Sequence, residues 1–253
     1  MASHLIRKLE QFTKLSSDDK EAVERAASLN VRRLRPKEDI IHEGDRPQQV
    51  NLILEGWACR YKVLEDGRRQ IAAFLIPGDM CDLRMFILKE MDHSVGAITP
   101  LTVSEIPKGT ILHLTENYPR LSRALWWNSL VEEATAREWI VNNSVRDASE
   151  RLAHLLCELF IRLRGVGLTN GHSCEFPVTQ SDLGETTGLS TVHVNRTLQD
   201  LRAADLIILK GKTLTIPDLE RLKEAAMFNP NYLHLDREGL HLDVNEQGIS
   251  PAP

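Results

Sequence analysis

Residues 179–201 read TQSDLGETTGLSTVHVNRTLQDL, and the order of signals in this stretch decides the architecture. Thr179 with Asp182 three positions on has the form of a capping box, Leu183 supplies an apolar contact, and Gly188 ends a helix of about two turns. Ser190 caps a second helix in which Val194, Leu198 and Leu201 recur at helical spacing and face inward, turning Thr191, His193, Asn195 and Arg196 toward solvent. Downstream, Ile207 to Ile216 alternates apolar and polar residues around Lys210-Gly211-Lys212, which predicts a short hairpin. Two short helices joined by a glycine turn and followed by a basic hairpin make a winged helix-turn-helix, a unit that places the first turns of its second helix in the major groove of DNA.

Outward from this unit the punctuation changes twice. Ala148 to about Arg164 carries an apolar stripe of Leu152, Leu155, Leu156, Leu159, Phe160 and Leu163 and is stopped by Gly165 and Gly167. Pro217-Asp218 starts a last short helix to Met227. Arg120 to Val145 holds neither glycine nor proline over 26 residues, a helix of about 39 Å at 1.5 Å per residue. Two stripes compete along it: Leu121, Ala124, Asn128, Val131, Thr135, Glu138, Asn142 and Val145 at heptad spacing, or Trp127, Leu130, Ala134 and Val141. The helix serves either as a two-helix dimer seam or as a prop for its own chain, and the sequence leaves the seam face open.

From Val31 to about Leu114 turn pairs recur every few residues: Gly44-Asp45, Glu55-Gly56, Asp66-Gly67 and Pro77-Gly78-Asp79. That rhythm predicts an antiparallel barrel or sandwich. Trp57, Cys59, Tyr61 and Val63 alternate with Arg60 and Lys62, and Asp66-Gly67 is a hairpin signal. Ahead of this region Ser16 and Ser17 with Asp18, Asp19 and Glu21 predict a helix ending near Ser28. The divisions expected are a β-rich unit over 1–116, the long helix over 117–146, the winged helix-turn-helix over 147–228 and a tail over 229–253. The tail carries Leu233-His234-Leu235-Asp236 and again Leu240-His241-Leu242-Asp243, a small strand pair or an ordered strap.

Composition excludes several classes. The chain has 253 residues, 42% hydrophobic and 26% charged, with a formal net charge of -5. Disordered, collagen-like and coiled-coil-only readings fall away. The apolar run Ile71 to Ile76 is far shorter than the roughly 20 residues that span a bilayer, and MASHLIRKLEQF lacks the apolar core of a secretion signal, so a cytoplasmic location is expected. No strongly basic balance advertises a nucleic acid, and any DNA surface must be local. Cys59, Cys81, Cys157 and Cys174 form no metal-ligand spacing and are read as reduced structural thiols; no metal site is expected. Neither a Gly-rich phosphate loop, a Gly-x-Ser-x-Gly elbow nor a His-Glu-x-x-His site is present, so an enzyme is not expected.

On these pieces, together with RDASERLAHLLCEL at 146–159 and GLSTVHVNRTLQDLR at 188–202, the chain resembles the bacterial Crp/Fnr superfamily of transcription regulators over about residues 20–220. The resemblance implies an α+β chain: an N-terminal β jelly-roll effector domain, a long dimerisation helix and a C-terminal winged helix-turn-helix. It implies that Arg196 contacts a guanine, that Thr179 and Ser190 hold phosphates, and that Thr191, Val192, His193 and Asn195 set the rest of the half-site. Lys210 and Lys212 of the wing join them. Val192 departs from the family's common acidic reader; it cannot accept from a cytosine amino group but can touch a thymine methyl. The partners implied are double-stranded DNA with a palindromic site, a second copy of the chain, and RNA polymerase; no membrane.

The effector position departs further. Where cyclic-nucleotide binders of the family carry Gly-Glu-Leu and Arg-Ser, this chain has Met80-Cys81-Asp82-Leu83 and His93-Ser94, and the long helix offers Ala136 and Arg137 where hydroxyl residues would meet the base. A mostly neutral histidine lacks the fork that grips a phosphate. The effector pocket expected therefore comprises Cys81, Asp82, Arg84, His93, Ser94, Ala136 and Arg137, with a ligand other than a standard cyclic nucleotide. An iron-sulfur cluster is disfavoured because residues 1–58 contain no cysteine. Haem is left open, His42, His93, His113, Cys59 and Cys81 being available. Two other readings stand beside this one: a ligand-sensing module that regulates a protein partner, and a cyclic-nucleotide-responsive regulator. The stretch 147–229, with nine Lys/Arg against eleven Asp/Glu, gives the first of these its weight.

Overall fold

The structure is a computed structural model that describes residues 2–81, 83, 87, 89–235, 237 and 239. Helices α1 (Ser3–Leu9) and α2 (Ser17–Ala27) lead into eight strands: β1 (Val31–Leu34), β2 (Asp39–Ile41), β3 (Gln49–Glu55), β4 (Ala58–Val63), β5 (Arg69–Leu75), β6 (Met80–Cys81), β7 (Ser94–Ala97) and β8 (Leu101–Pro107). Two antiparallel four-stranded sheets, β1-β8-β3-β6 and β2-β7-β4-β5, enclose Leu34, Ile53, Leu75, Val95, Leu101 and Val103. This is the jelly-roll expected. At the β3–β4 turn Gly56 has φ +84°, and a Cβ there would stand 2.2 Å from the Pro100 carbonyl oxygen, so only glycine fits.

Helices α3 (Lys108–Asn117) and α4 (Pro119–Ser144) follow, then α5 (Ala148–Gly165), β9 (Thr169–Asn170), β10 (Ser173–Glu175), α6 (Gln180–Thr187), α7 (Thr191–Ala203), β11 (Ile208–Lys210), β12 (Thr213–Thr215) and α8 (Leu219–Ala225). The last four strands form the sheet β11-β12-β10-β9. A 3-10 turn over Pro230–Leu233 is the last regular element among the described residues.

Three points differ from the sequence reading. The strand rhythm stops at Pro107, not near Leu114, because residues 108–117 turn Ile111 and Leu114 inward as a helix. Helix α1 was not foreseen; Leu5 and Leu9 anchor it, and Phe12 beyond it stacks on Trp127 at 5.6 Å. Neither stripe proposed for α4 is the free one. Leu121, Ala124, Asn128 and Asn142 of the first and Trp127 and Ala134 of the second are buried within the chain. The exposed apolar face is Trp126, Leu130, Ile140, Val141 and Val145. Of the two forms expected for the tail, the described residues take the strap: Leu233 and Leu235 pack on the core, while Asp236 and the second copy at 240–243 lie outside the described residues.

One apolar core runs from the jelly-roll into the winged unit. Trp57 meets Phe176 edge-on at 6.1 Å and Phe74 meets Trp139 likewise at 6.1 Å. A buried charge network crosses the same seam. Asp79 takes Lys8 Nζ at 2.7 Å and Arg162 Nη2 at 2.9 Å, and although burial pushes its carboxyl up, these two cations hold it below the usual range. Arg162 also reaches Glu158 at 3.2 Å, whose carboxylate accepts from Trp139 Nε1 at 2.9 Å and from the Tyr232 hydroxyl at 3.0 Å. Burial pushes the Glu158 carboxyl up. The network satisfies both carboxylates, as a buried charge requires.

Candidate nucleic-acid interface

The capping signals read in the sequence are the ones that build the α6–α7 unit. Thr179 Oγ1 accepts from Asp182 N at 3.1 Å and Thr179 N donates to Asp182 Oδ2 at 2.9 Å. Gly188 closes α6 in the left-handed region at φ +71°. Ser190 Oγ accepts from His193 N at 3.2 Å and starts α7. Val194, Leu198 and Leu201 are buried on one side of α7, while Thr191, Val192 (79% exposed), Arg196 and Gln199 are exposed on the other. His193 and Asn195 are half-buried, and Asn195 Nδ2 donates to Gln180 Oε1 at 3.2 Å. Gln180, Thr191, Val192, Asn195, Arg196 and Gln199 line one open concavity. Gln180 and Gln199 escaped the sequence reading, although Gln199 lies three residues beyond Arg196 and so shares its face.

Thr179 and Ser190 differ in what they can offer a phosphate. The Thr179 hydroxyl donates to Asp182 Oδ2 at 2.6 Å, which commits its one proton. Ser190 Oγ is an acceptor in its cap, which leaves its proton to donate outward. On the wing, Lys210 and Lys212 are exposed on either side of Gly211. Arg196, Lys210 and Lys212 thus present donors for phosphate oxygens and base edges.

Several acids of this unit lie off that surface, although Asp200 of α7 is exposed one turn beyond Arg196. Asp147 and Asp218 cap α5 and α8, Asp182 caps α6, Glu158 is buried, and Glu185 pairs with Arg69 at 2.8 Å. Helix α6 is also held from behind. Gln70 and Asn143 both donate to the Thr186 carbonyl, each at 3.1 Å, and Arg151 donates to the Thr187 carbonyl at 2.8 Å. Residues of the jelly-roll, α4 and α5 therefore hold α6 in place.

The residues expected around an effector that the structure describes have the following settings. Cys81 is buried in the jelly-roll core. His93 Nδ1 lies 2.8 Å from Asp92 Oδ1, and Ser94 Oγ accepts from Glu43 N at 3.0 Å. Ala136 and Arg137 are exposed on α4. Asp82 and Arg84 lie outside the described residues. A cavity of ≈ 210 Å3 opens between β5, α4, α5 and the strap, and of the five described residues only Ala136 lines it. Cys59, Cys157 and Cys174 are buried thiols, pushed up by that burial to about 11, about 12 and about 12.

Residues 31–118 match the family described as a cyclic nucleotide-binding domain, and residues 150–225 match the Crp-like helix-turn-helix domain. The transcriptional activatory protein AadR of Rhodopseudomonas palustris is 30% identical over 224 residues, 87% of this chain and 90% of that protein. The nitrogen fixation regulation protein FixK of Bradyrhizobium diazoefficiens is 29% identical over 192 residues, 75% of this chain and 78% of its own length. Among solved structures, FixK2 from Bradyrhizobium japonicum superposes with a TM-score of 0.68 at 24% identity, covering 78% of this chain and 96% of that one, a likeness of fold. With both domains matched in order and a relative aligned along nearly its whole length, this chain belongs to the Crp/Fnr family of transcription regulators.

Proposed function

We propose that the protein acts as a homodimer that reads an inverted repeat in double-stranded DNA, one α7 per half-site, and answers to an effector other than a standard cyclic nucleotide or an iron-sulfur cluster. The observation that carries the DNA reading is the exposed face of α7, where Thr191, Val192, Arg196 and Gln199 line an open concavity with no acid in its lining, in a unit whose hairpin exposes Lys210 and Lys212. Arg196 is assigned to a guanine, Val192 to a thymine methyl, His193 and Asn195 to neighbouring bases, and Ser190, Lys210 and Lys212 to phosphates. Dimerisation is assigned to the exposed face of α4, where Trp126, Leu130, Glu133, Arg137, Ile140 and Ser144 repeat at alternating spacings of four and three. A two-fold axis along that helix pairs two reading helices about one DNA turn apart, and RNA polymerase is the further partner assigned to the bound dimer.

The effector assignment rests on chemistry at the nucleotide positions. The carboxylate of Asp92 beside His93 repels a phosphate, and Ala136 and Arg137 supply no hydroxyl to a base. The test is selection from a random duplex pool by the purified protein at about 0.1 M salt, with affinity then followed against salt concentration. A recovered palindrome whose affinity falls steeply with salt is expected. Salt-indifferent binding, or no sequence selected, sinks the DNA reading.

A further inference from the structure

Gln180 is the first residue of α6 and Asn195 lies one turn into α7, yet their side-chain amides meet: Asn195 Nδ2 donates to Gln180 Oε1 at 3.2 Å. The turn between the helices permits this. Gly188 sits at φ +71°, and a Cβ on Gly184 would stand 2.7 Å from the Leu189 carbonyl oxygen, so the close approach leaves no room for a side chain at 184. Both amides line the open concavity with Val192, Arg196 and Gln199. Val192, Asn195, Arg196 and Gln199 fall at the i, i+3, i+4 and i+7 positions of one helix face.

The bond divides the hydrogen-bonding capacity of the pair. An asparagine amide has two N–H donors and a carbonyl acceptor. Gln180 takes one N–H of Asn195, which leaves Oδ1 and the second N–H without a partner among the described residues. Gln180 accepts through Oε1, so its own NH2 group is the end left over, and a phosphate oxygen that accepts from it polarises both amides in turn. Major-groove edges then discriminate. Adenine presents a donor, N6–H, beside an acceptor, N7, whereas guanine presents two acceptors, cytosine a donor, and thymine an acceptor beside a methyl group. One acceptor and one donor on a fixed amide match adenine, and they meet guanine with Oδ1 against O6. A half-buried amide already held by a neighbour also has less freedom to lose when a base arrives.

We propose that Asn195 reads an adenine in each half-site and that Gln180 is the residue that positions it, the two amides forming one relay from a phosphate to the base. The proposal rests on the reading of α7 as the helix that enters the major groove. Gln180 acts through Asn195: it fixes which end of the asparagine amide faces the base, and so which base fits. The partners stand 15 residues apart on different helices, so helical spacing does not pair them.

Half-sites selected from a random duplex pool by the full-length parent and by Asn195→Ala test the pair. The position at which Asn195→Ala loses its base preference is expected to carry adenine in the parent, favoured over each other base by about 5- to 150-fold. Replacing that adenine by 7-deazaadenine, which has C–H in place of N7, should weaken the parent at least about twofold and leave Asn195→Ala unmoved. Gln180→Ala should cut the adenine preference at least about threefold, and in the Asn195→Ala background the same change should move the base ratios by less than about twofold. Gln180→Glu keeps an acceptor for Asn195 Nδ2 and should keep the adenine preference, while its charge weakens every duplex alike. Another base at that position, no position lost by Asn195→Ala, an unchanged preference in Gln180→Ala, or a Gln180→Glu protein as indifferent as Gln180→Ala would overturn the proposal. Failure of the parent to select any duplex would fall on the proposed function, whereas a palindrome selected without adenine at the Asn195 position would fall on the amide pair.

Discussion

Replacing Ile140 by glutamate should take the dimer apart without disturbing the protomer. Ile140 is 67% exposed in the chain, between Leu130 at 60% and Val145 at 77%, so its own fold spends little on it. Fully burying an isoleucine is worth about 1.5–3 kcal/mol, and two-thirds of that is about 1–2 kcal/mol per copy. A two-fold interface counts each residue twice, so the substitution removes about 2–4 kcal/mol, or roughly 30- to 1,000-fold in the dissociation constant. The two carboxylates brought into the seam add to that loss. Sedimentation equilibrium over a dilution series reads the change, with Glu116→Lys on α3, exposed and away from the seam, as the control. Parent and Glu116→Lys should remain dimers where Ile140→Glu is monomeric with unchanged helix content by circular dichroism. An Ile140→Glu protein that stays dimeric at every dilution would refute both the seam and the arithmetic behind it.

Other substitutions probe the interface and the core. Arg196→Ala should cost about 1–3 kcal/mol on the selected site and relax the base preference there, whereas Lys210→Ala or Lys212→Ala should weaken specific and random duplexes nearly alike; equal losses for Arg196→Ala on both would contradict its role. His154 is buried against Phe228 and Tyr232, and burial, with the Arg146 guanidinium, holds its pKa down at about 3 against 6.5 for the free side chain. The neutral ring contributes stability that is complete above pH 6.5 and lost as the pH falls toward 3, because the unfolded chain takes up a proton there and the folded one does not. The slope is about 1.4 kcal/mol per pH unit, roughly 2 kcal/mol by pH 5. Urea titrations of His154→Leu should lack that slope; an identical pH dependence would place its origin elsewhere. Gly56→Ala sets a Cβ 2.2 Å from the Pro100 carbonyl at φ +84°, which should cost at least about 2 kcal/mol and lower Tm by about 5 °C or more, and an unchanged melting curve would count against it.

What could be read from the sequence was what local chemistry encodes. Thr179, Asp182, Gly188 and Ser190 act within three residues of themselves, so caps and turn were legible and the reading face of α7 followed from helical periodicity. The jelly-roll was legible through its glycine turns, but its end was placed too late because 108–117 carries Gly109 inside a helix, a poor local signal. Helix α1 is two turns with Leu5 and Leu9 as its buried anchors, too few to establish a period. The seam of α4 failed for a different reason. Heptad arithmetic identifies apolar stripes but does not say which of them the chain itself covers, and Phe12, the jelly-roll and α5 cover Trp127, Leu121 and Asn142 before any partner arrives. The cavity was invisible because Ala73, Trp127, Arg162 and Leu233 meet only through the tertiary arrangement.

The ties between the N-terminal segment and later parts of the chain have a kinetic meaning. His4 Nδ1 lies 2.9 Å from the Val166 carbonyl, Lys8 reaches Asp79 at 2.7 Å, and Gly239 N donates to the Phe12 carbonyl at 3.1 Å. On a ribosome adding about 5–20 residues per second, residue 127 leaves the tunnel roughly 6–22 s before residue 239. Throughout that interval the stacked faces of Phe12 and Trp127 and the cavity beside them stand without their strap. The nascent chain therefore passes through a long-lived stage in which the jelly-roll is complete and its apolar flank is open, which is the stage at which chaperones would hold it and at which aggregation competes with folding.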